Sequence, residues 1–183
     1  MVGNAAQRET EMRELFYQIY ESPLGQITMV SDGEALRGLW IEGQHHYPDS
    51  LKKLPIEKNL PLFEQTKRWL EDYFSGKVPE MLPPLAPEGS EFRLRVWELL
   101  LEVPYGETTT YSDIAKQIAK ERGIAKMSAR AVGGAVGHNP ISILIPCHRV
   151  IGADGSLVGY GGGLEKKIAL LRLEEQFERA ERE

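Results

Sequence analysis

A single cysteine, Cys147, is all the thiol chemistry this 183-residue chain carries. That scarcity excludes an internal disulfide and a cysteine-rich metal centre, which needs several thiolates or clustered histidines. Of the four histidines, His45 and His46 fall in the polar stretch IEGQHHYPDS, which predicts an exposed loop. No metal and no cofactor are expected. An apolar run of about 18 residues is also lacking, which excludes a membrane-spanning helix. The opening segment MVGNAAQRETEMRE is polar and has none of the apolar core of a secretory signal. A soluble, cytoplasmic protein without membrane contact is therefore expected.

Excess positive charge is lacking too: the net charge is −5. Taken whole, this balance disfavours a polyanionic partner, but the distribution is uneven. Residues 111–151 carry Lys116, Lys120, Arg122, Lys126, Arg130 and Arg149 against Asp113 and Glu121 only, a local balance of +4. The segments on either side are acidic. A basic face on an acidic body is compatible with phosphate contacts.

What is present divides the chain in two. Phe16–Tyr20, Gln26–Val30 and Leu36–Ile41 are rich in aromatic and β-branched residues and are separated by turn sequences, which predicts a small antiparallel sheet. Leu62–Phe74 has the spacing of an amphipathic helix. Residues 77–89 hold four prolines and predict an extended connection and a domain boundary. Beyond it the pattern turns helical: Ser90–Glu102 with Ser90 as cap, Tyr111–Lys120 with Ser112 as cap, Ser128–Val136, and Leu164–Glu178. The two short central helices, in the basic segment, form a helix-turn-helix pattern. The expected fold is α+β: an N-terminal antiparallel-sheet domain over residues 1–89 and a mostly helical domain over 90–183.

The chemical interest concentrates in NPISILIPCHRVI, residues 139–151. Apolar β-formers carry the chain through the core to Pro146, and a thiol, an imidazole and a guanidinium follow in succession. A free thiol becomes a useful nucleophile when a base or a positive charge stabilises its thiolate. His148 and Arg149 are candidates for both roles. In an extended strand Cys147 and His148 would point to opposite faces, so a turn or a bridging water is required to couple them.

Pro146-Cys147-His148-Arg149-Val150 resembles the reactive motif of the O6-alkylguanine-DNA alkyltransferases, the methylated-DNA–protein-cysteine methyltransferase family. Arg130-Ala131-Val132-Gly133-Gly134-Ala135 is similar to that family's recognition helix, with Asn139-Pro140 at the family's spacing. Pro104-Tyr105-Gly106-Glu107, Thr110-Tyr111, Tyr160-Gly161-Gly162-Gly163-Leu164 and Glu174 match it further. The likeness is strong over residues 90–175 and holds in outline before them.

The resemblance implies a DNA repair protein, acting as a monomer on double-stranded DNA that carries O6-alkylguanine, with O4-alkylthymine as a further lesion. It implies that Cys147 accepts the alkyl group once and irreversibly. His148 would deprotonate Cys147 through a water, Glu174 would orient His148, Tyr111 would donate to guanine N3, and Asn139 would shape the turn. Val150, Gly161, Gly162 and Lys167 are implied for substrate binding. Arg130 would fill the gap left by a flipped nucleotide, with Ala129, Ala131, Gly133 and Ser112 at the DNA. The family's serine or alanine near Gly161 is absent here, which suggests a pocket open to bulkier alkyl groups. A non-catalytic lesion binder, in which the family fold lacks the cysteine, and a cysteine hydrolase using Cys147, His148 and Glu174 are the alternatives.

Overall fold

The computed structural model describes residues 13–44, 51, 55–158, 160, 161 and 163–182. His45, His46 and Gly162 lie outside the described residues, so the expectations attached to them are not addressed.

β1 (Phe16–Ser22) and β2 (Gly25–Ser31) form a hairpin closed by Ser22-Pro23-Leu24-Gly25, with Gly25 at φ +110, and β3 (Leu36–Ile41) pairs antiparallel to β2. A two-residue strand, β4 (Ile56–Glu57), runs parallel along β1, giving the order β3-β2-β1-β4. The helix α1 (Pro61–Phe74) has Pro61 in its first turn, where a missing N–H costs nothing. It buries Phe63, Trp69, Leu70 and Tyr73.

The proline-rich segment after α1 follows the outer edge of β3. Leu36 donates to Pro84 O and accepts from Ala86 N, both at 2.8 Å, and Arg37 bonds Ala86 O and Glu88. The helices α2 (Glu91–Leu101), α3 (Tyr111–Arg122), α4 (Ala129–Gly137) and α5 (Leu164–Arg182) follow. Ser90 and Ser128 cap α2 and α4 through Arg93 N and Ala131 N. The cap of α3 is Thr110, which accepts from Asp113 N, and not Ser112 as the sequence suggests. Two neighbouring hydroxyl residues offered the same chemistry, and the extended backbone at Thr110 decided between them. Gly123 ends α3 in the left-handed conformation at φ 64.

The apolar run before Cys147 is not a strand. Residues 141–146 form successive turns, with Leu144 N bonded to Ser142 O, Ile145 N to Ile141 O, and Ile143 at φ 70. The side chain of Asn139 bridges this coil from within: Nδ2 donates to Ile145 O at 2.8 Å and Oδ1 accepts from Ile141 N at 3.0 Å. A β-branched residue in the left-handed region costs roughly 1–2 kcal/mol. Burial of the Ile143 side chain, 1% exposed, holds it there.

One apolar cluster joins both halves of the chain. Ile27, Leu39, Phe63 and Tyr73 belong to it together with Trp97 and Leu170. Backbone bonds cross the same boundary: Leu39 N donates to Pro140 O and Ser142 N to Leu39 O, each at 2.9 Å. The sheet edge thus holds the coil that leads to Cys147.

Candidate active site

Cys147, His148 and Arg149 make one turn of 3-10 helix, which enters β6 (Val150–Ile151). The turn, rather than an extended strand, sets the directions of the three side chains. Cys147 is 6% exposed and His148 fully buried. Imidazole Nε2 lies 2.7 Å from Glu174 Oε1, while Nδ1 has no hydrogen-bond partner among the described residues. A carboxylate on Nε2 favours the tautomer with its proton there and leaves Nδ1 as an acceptor.

Glu174, on α5, is the hub. Its Oε1 accepts from Tyr73 OH at 2.8 Å and from Arg149 Nη2 at 2.9 Å, besides its bond to His148. Its Oε2 accepts from Arg149 Nε at 2.9 Å and Gly106 N at 3.2 Å. Burial alone would raise its pKa, but the bonds and charges of His148 and Arg149 outweigh that and hold it down to about 2. Burial pulls the pKa of His148 down against the pull of Glu174.

Arg149 does not face the thiol. Its guanidinium is bidentate on Glu174, donates to Val103 O at 2.7 Å and lies over the Tyr105 ring. By sequence it is a candidate stabiliser of the thiolate and part of the basic face. The turn sends it inward, where an unpaired guanidinium would be prohibitive and a carboxylate is at hand. Lys167 supplies the positive charge that acts on Cys147. Its ammonium is buried and donates to Val150 O at 2.6 Å and Val158 O at 2.9 Å. Burial nevertheless dominates the thiol, raising its pKa to about 11 against Asn139, Lys167 and the amides of Cys147 and His148. An unassisted thiolate would then be only about one molecule in ten thousand at neutral pH.

Tyr111 reaches this place through a short parallel pairing. β5 (Thr109–Thr110) registers Thr109 on Val150 and Thr110 on Ile151, so Tyr111 begins α3 beside the reactive turn. Its hydroxyl donates to Val158 O at 2.9 Å, the carbonyl that Lys167 also engages. Gly161 is near Gln44 and the Gly137 carbonyl, with room for a Cβ.

Arg130, Ala129, Ala131 and Gly133 lie apart, on α4. Arg130 and Ala131 are exposed, Ala129 and Gly133 partly so. Trp97 Nε1 donates to Ala135 O at 2.9 Å and fixes this helix to α2. A Cβ at Gly134 would meet nothing, and one at Gly133 only the Tyr111 ring at ordinary contact distance. The fold itself does not require these two glycines. Between α3 and α4 runs a groove of about 1030 Å³ lined by Ser112, Lys116, Lys120, Lys126 and Ser128 among others. Tyr73 and Gln44, from the N-terminal half, are the participants missing from the sequence reading. Gln44 Oε1 accepts from Ser142 Oγ at 2.9 Å. The signal available for Tyr73 was a tyrosine on the apolar side of α1, since a buried phenol needs a partner.

Residues 91–176 match the family model described as 6-O-methylguanine DNA methyltransferase, DNA binding domain, and residues 15–87 match its ribonuclease-like domain. The methylated-DNA–protein-cysteine methyltransferase of Haemophilus influenzae is 43% identical over 89% of this chain and 88% of its own. That of Methanosarcina barkeri is 44% identical, covering 88% and 98%. The chain belongs to the 6-O-methylguanine DNA methyltransferase family. Among solved structures, Mycobacterium tuberculosis OGT in complex with DNA superposes with a TM-score of 0.77 at 41% identity, over 88% of this chain and 94% of that one. The O6-methylguanine DNA methyltransferase of Methanococcus jannaschii does so at 0.58 and 28%, over 86% and 93%. As in the crystallised family members, a sheet-containing N-terminal part precedes a helical C-terminal part. No described helix of this methyltransferase is long and apolar enough to cross a membrane.

Proposed function

We propose that this methyltransferase repairs O6-alkylguanine in double-stranded DNA, transferring the alkyl group to Cys147 in a single use. The observation that carries this is the ordering of one turn: the chain's one thiol, then an imidazole bonded at Nε2 to Glu174 with Nδ1 left as an acceptor. His148 takes the thiol proton at Nδ1, directly or through a water, and the resulting imidazolium is stabilised by Glu174. The sulfur attacks the carbon on O6; the S–C bond forms as the C–O bond breaks, and the electron pair passes to the purine. A proton delivered to the purine, with Tyr111 as donor at N3, completes a neutral guanine. Tyr111 must exchange its present bond to Val158 O for this contact. Loss of such acid–base assistance costs about 10²–10⁴-fold. Asn139 fixes the coil that presents the thiol, and Lys167 ties the backbone at Val150 to the loop that bears Gly161.

A base within the duplex cannot reach a buried sulfur, so the nucleotide is rotated out, at a cost of roughly a few kcal/mol. Arg130, exposed on α4, fills the gap, while Ala129, Ala131 and Gly133 allow the helix to approach the backbone and Ser112 faces the phosphates. The minor groove, with its degenerate pattern, suits a reader of damage rather than of sequence. The lack of a side chain at Gly161 makes room for benzyl-sized groups. The division into domains 1–89 and 90–183, and a cytoplasmic location, belong to the same reading.

The deciding experiment is intact mass after incubation with a duplex carrying O6-methylguanine. Gain of one methyl group, never more than once per chain and absent in Cys147→Ala, is expected. Tight binding without a mass change would instead make it a lesion binder, and multiple turnovers a hydrolase. A strong preference for methyl over benzyl in the inactivation rate would overturn the open pocket.

A further inference from the structure

Most of the reaction site is built on the C-terminal half, yet a donor at its hub comes from the N-terminal half. Tyr73 is on α1, 101 residues before Glu174, yet its hydroxyl donates to Glu174 Oε1 at 2.8 Å and lies 3.4 Å from His148 Nε2. We propose that Tyr73 is a positioning residue of the alkyl-transfer site, holding the Glu174 carboxylate against His148 and limiting how strongly that carboxylate attracts the imidazole proton. The proposal rests on the reading of His148 and Glu174 as the base and its partner.

The geometry supports a role beyond filling space. The side chain is fully buried. Its ring is stacked on Trp69 at 5.4 Å and 8°, and meets Tyr105 edge-on at 5.6 Å, so the direction of the hydroxyl is fixed by packing on two sides. Burial, then the charge of Glu174, raises the phenol pKa well above its usual value, so the group stays a donor at every working pH. Its acceptor is the same oxygen that bonds His148 Nε2. Donors that share one oxygen compete for its charge: with the phenol in place, less of that charge is available to the imidazole.

The other groups facing this pair are accounted for. Arg149 from the reactive turn is on both carboxylate oxygens, and the Gly106 amide is on Oε2. Tyr105, Lys167 and Cys147 lie nearby, and the charges of Arg149 and Lys167 act on His148 in the same downward sense as burial. At Oε1 the phenol shares the oxygen with Arg149 and lies 3.4 Å from His148 Nε2. The N-terminal half thus contributes a hydrogen bond to the reactive site as well as its share of the core.

The test is the pH dependence of alkyl uptake from an O6-methylguanine duplex. Tyr73→Phe keeps the ring and removes the competing donor, so His148 becomes more basic. The acid limb of the rate profile is expected to move up by about half a unit to one unit. The nitrogen-15 shifts of the His148 ring in unreacted protein should titrate in the same direction. 3-Fluorotyrosine at position 73, a stronger donor of similar shape, should move both downward. Phe63→Leu, which loosens the packing of the same helix away from the Tyr73 ring, should leave the limb in place. A limb that is unchanged in Tyr73→Phe, or that moves equally in Phe63→Leu, overturns the proposal, as does a uniform loss of rate at all pH values. Wild-type uptake and its absence in Cys147→Ala are measured alongside. If wild type takes up nothing, the reading of the site fails while the ring titration still decides the role of Tyr73.

Discussion

Glu174 is 1% exposed and receives hydrogen bonds from Tyr73, Gly106, His148 and Arg149. Arg130 is exposed on α4, and its side chain makes no hydrogen bond or ion pair among the described residues. Both are charged residues of the same helical half, and they differ in what the fold asks of them. At Glu174 the low-dielectric surroundings make every donor necessary, so chemistry and stability are carried by the same atoms. On α4 the charge of Arg130 and the open surface at Gly133 and Gly134 are not demanded by the fold and are available to a ligand. Substitutions in the first region should therefore damage folding and reaction together, whereas those in the second should separate them.

The largest effect expected is at the hub. Glu174→Gln leaves Arg149 buried without its counter-charge, and should cost about 3–5 kcal/mol of stability by denaturant melts. It should slow alkyl uptake as well; a variant that loses rate with unchanged stability would break the comparison. Next is the buried thiol. Its pKa is raised in the folded state, from 9.0 to about 11, so its stabilising contribution is complete below pH 9 and is lost as pH rises from 9 to 11. Over that window about 3 kcal/mol should disappear in wild type relative to Cys147→Ala, measured as the difference between their stability–pH curves. Parallel curves would show that the thiol is not buried as the structure places it.

On the exposed side, Arg130→Ala should alter stability by no more than about 0.5 kcal/mol. Uptake from duplex should fall roughly tenfold, the size of about 1.4 kcal/mol of lost flipped-state stabilisation, while reaction with free O6-benzylguanine is unaffected. Equal losses on both substrates would place Arg130 in the chemistry instead. The smallest change is Gly134→Ala, which adds a methyl group into open space and should stabilise the protein by about 0.5–1 kcal/mol while weakening duplex binding. Unchanged binding would free that position from any role at the DNA.

Much of this was legible in the linear order of residues, and what was not has physical reasons. The hairpin, β3, α1 and the four later helices follow from periodicity and from turn and capping residues, all local properties. Leu36–Ile41 was located to the residue. Asn139, Cys147, His148 and Glu174 were legible as a spaced set because a family motif records what folding brings together; the geometry adds that they share one buried place. The coil at 141–146 misled because Ile-Ser-Ile-Leu-Ile has strand propensity, and the side chain of Asn139 overrides it by capturing both ends. Arg149, two residues from Cys147, is a candidate for the thiolate by sequence, but the 3-10 turn rotates its side chain away to Glu174. Tyr73 could not be paired with Glu174 from local pattern at all, since their contact depends on how α1 packs over the reactive turn.

The outer margin of β3 carries one more consequence. An edge strand ordinarily presents unpaired amides and carbonyls to any passing chain and is a common origin of aggregation. Here Leu36 is paired by Pro84 and Ala86 and Leu39 by Pro140 and Ser142, so the margin is closed by irregular segments at both points. The coil that leads to the nucleophile doubles as that cover. Loosening it enough to expose Cys147 by local unfolding would uncover a sticky edge at the same moment, so the thiol is protected from adventitious oxidants by the same contacts that keep the protein from associating with itself.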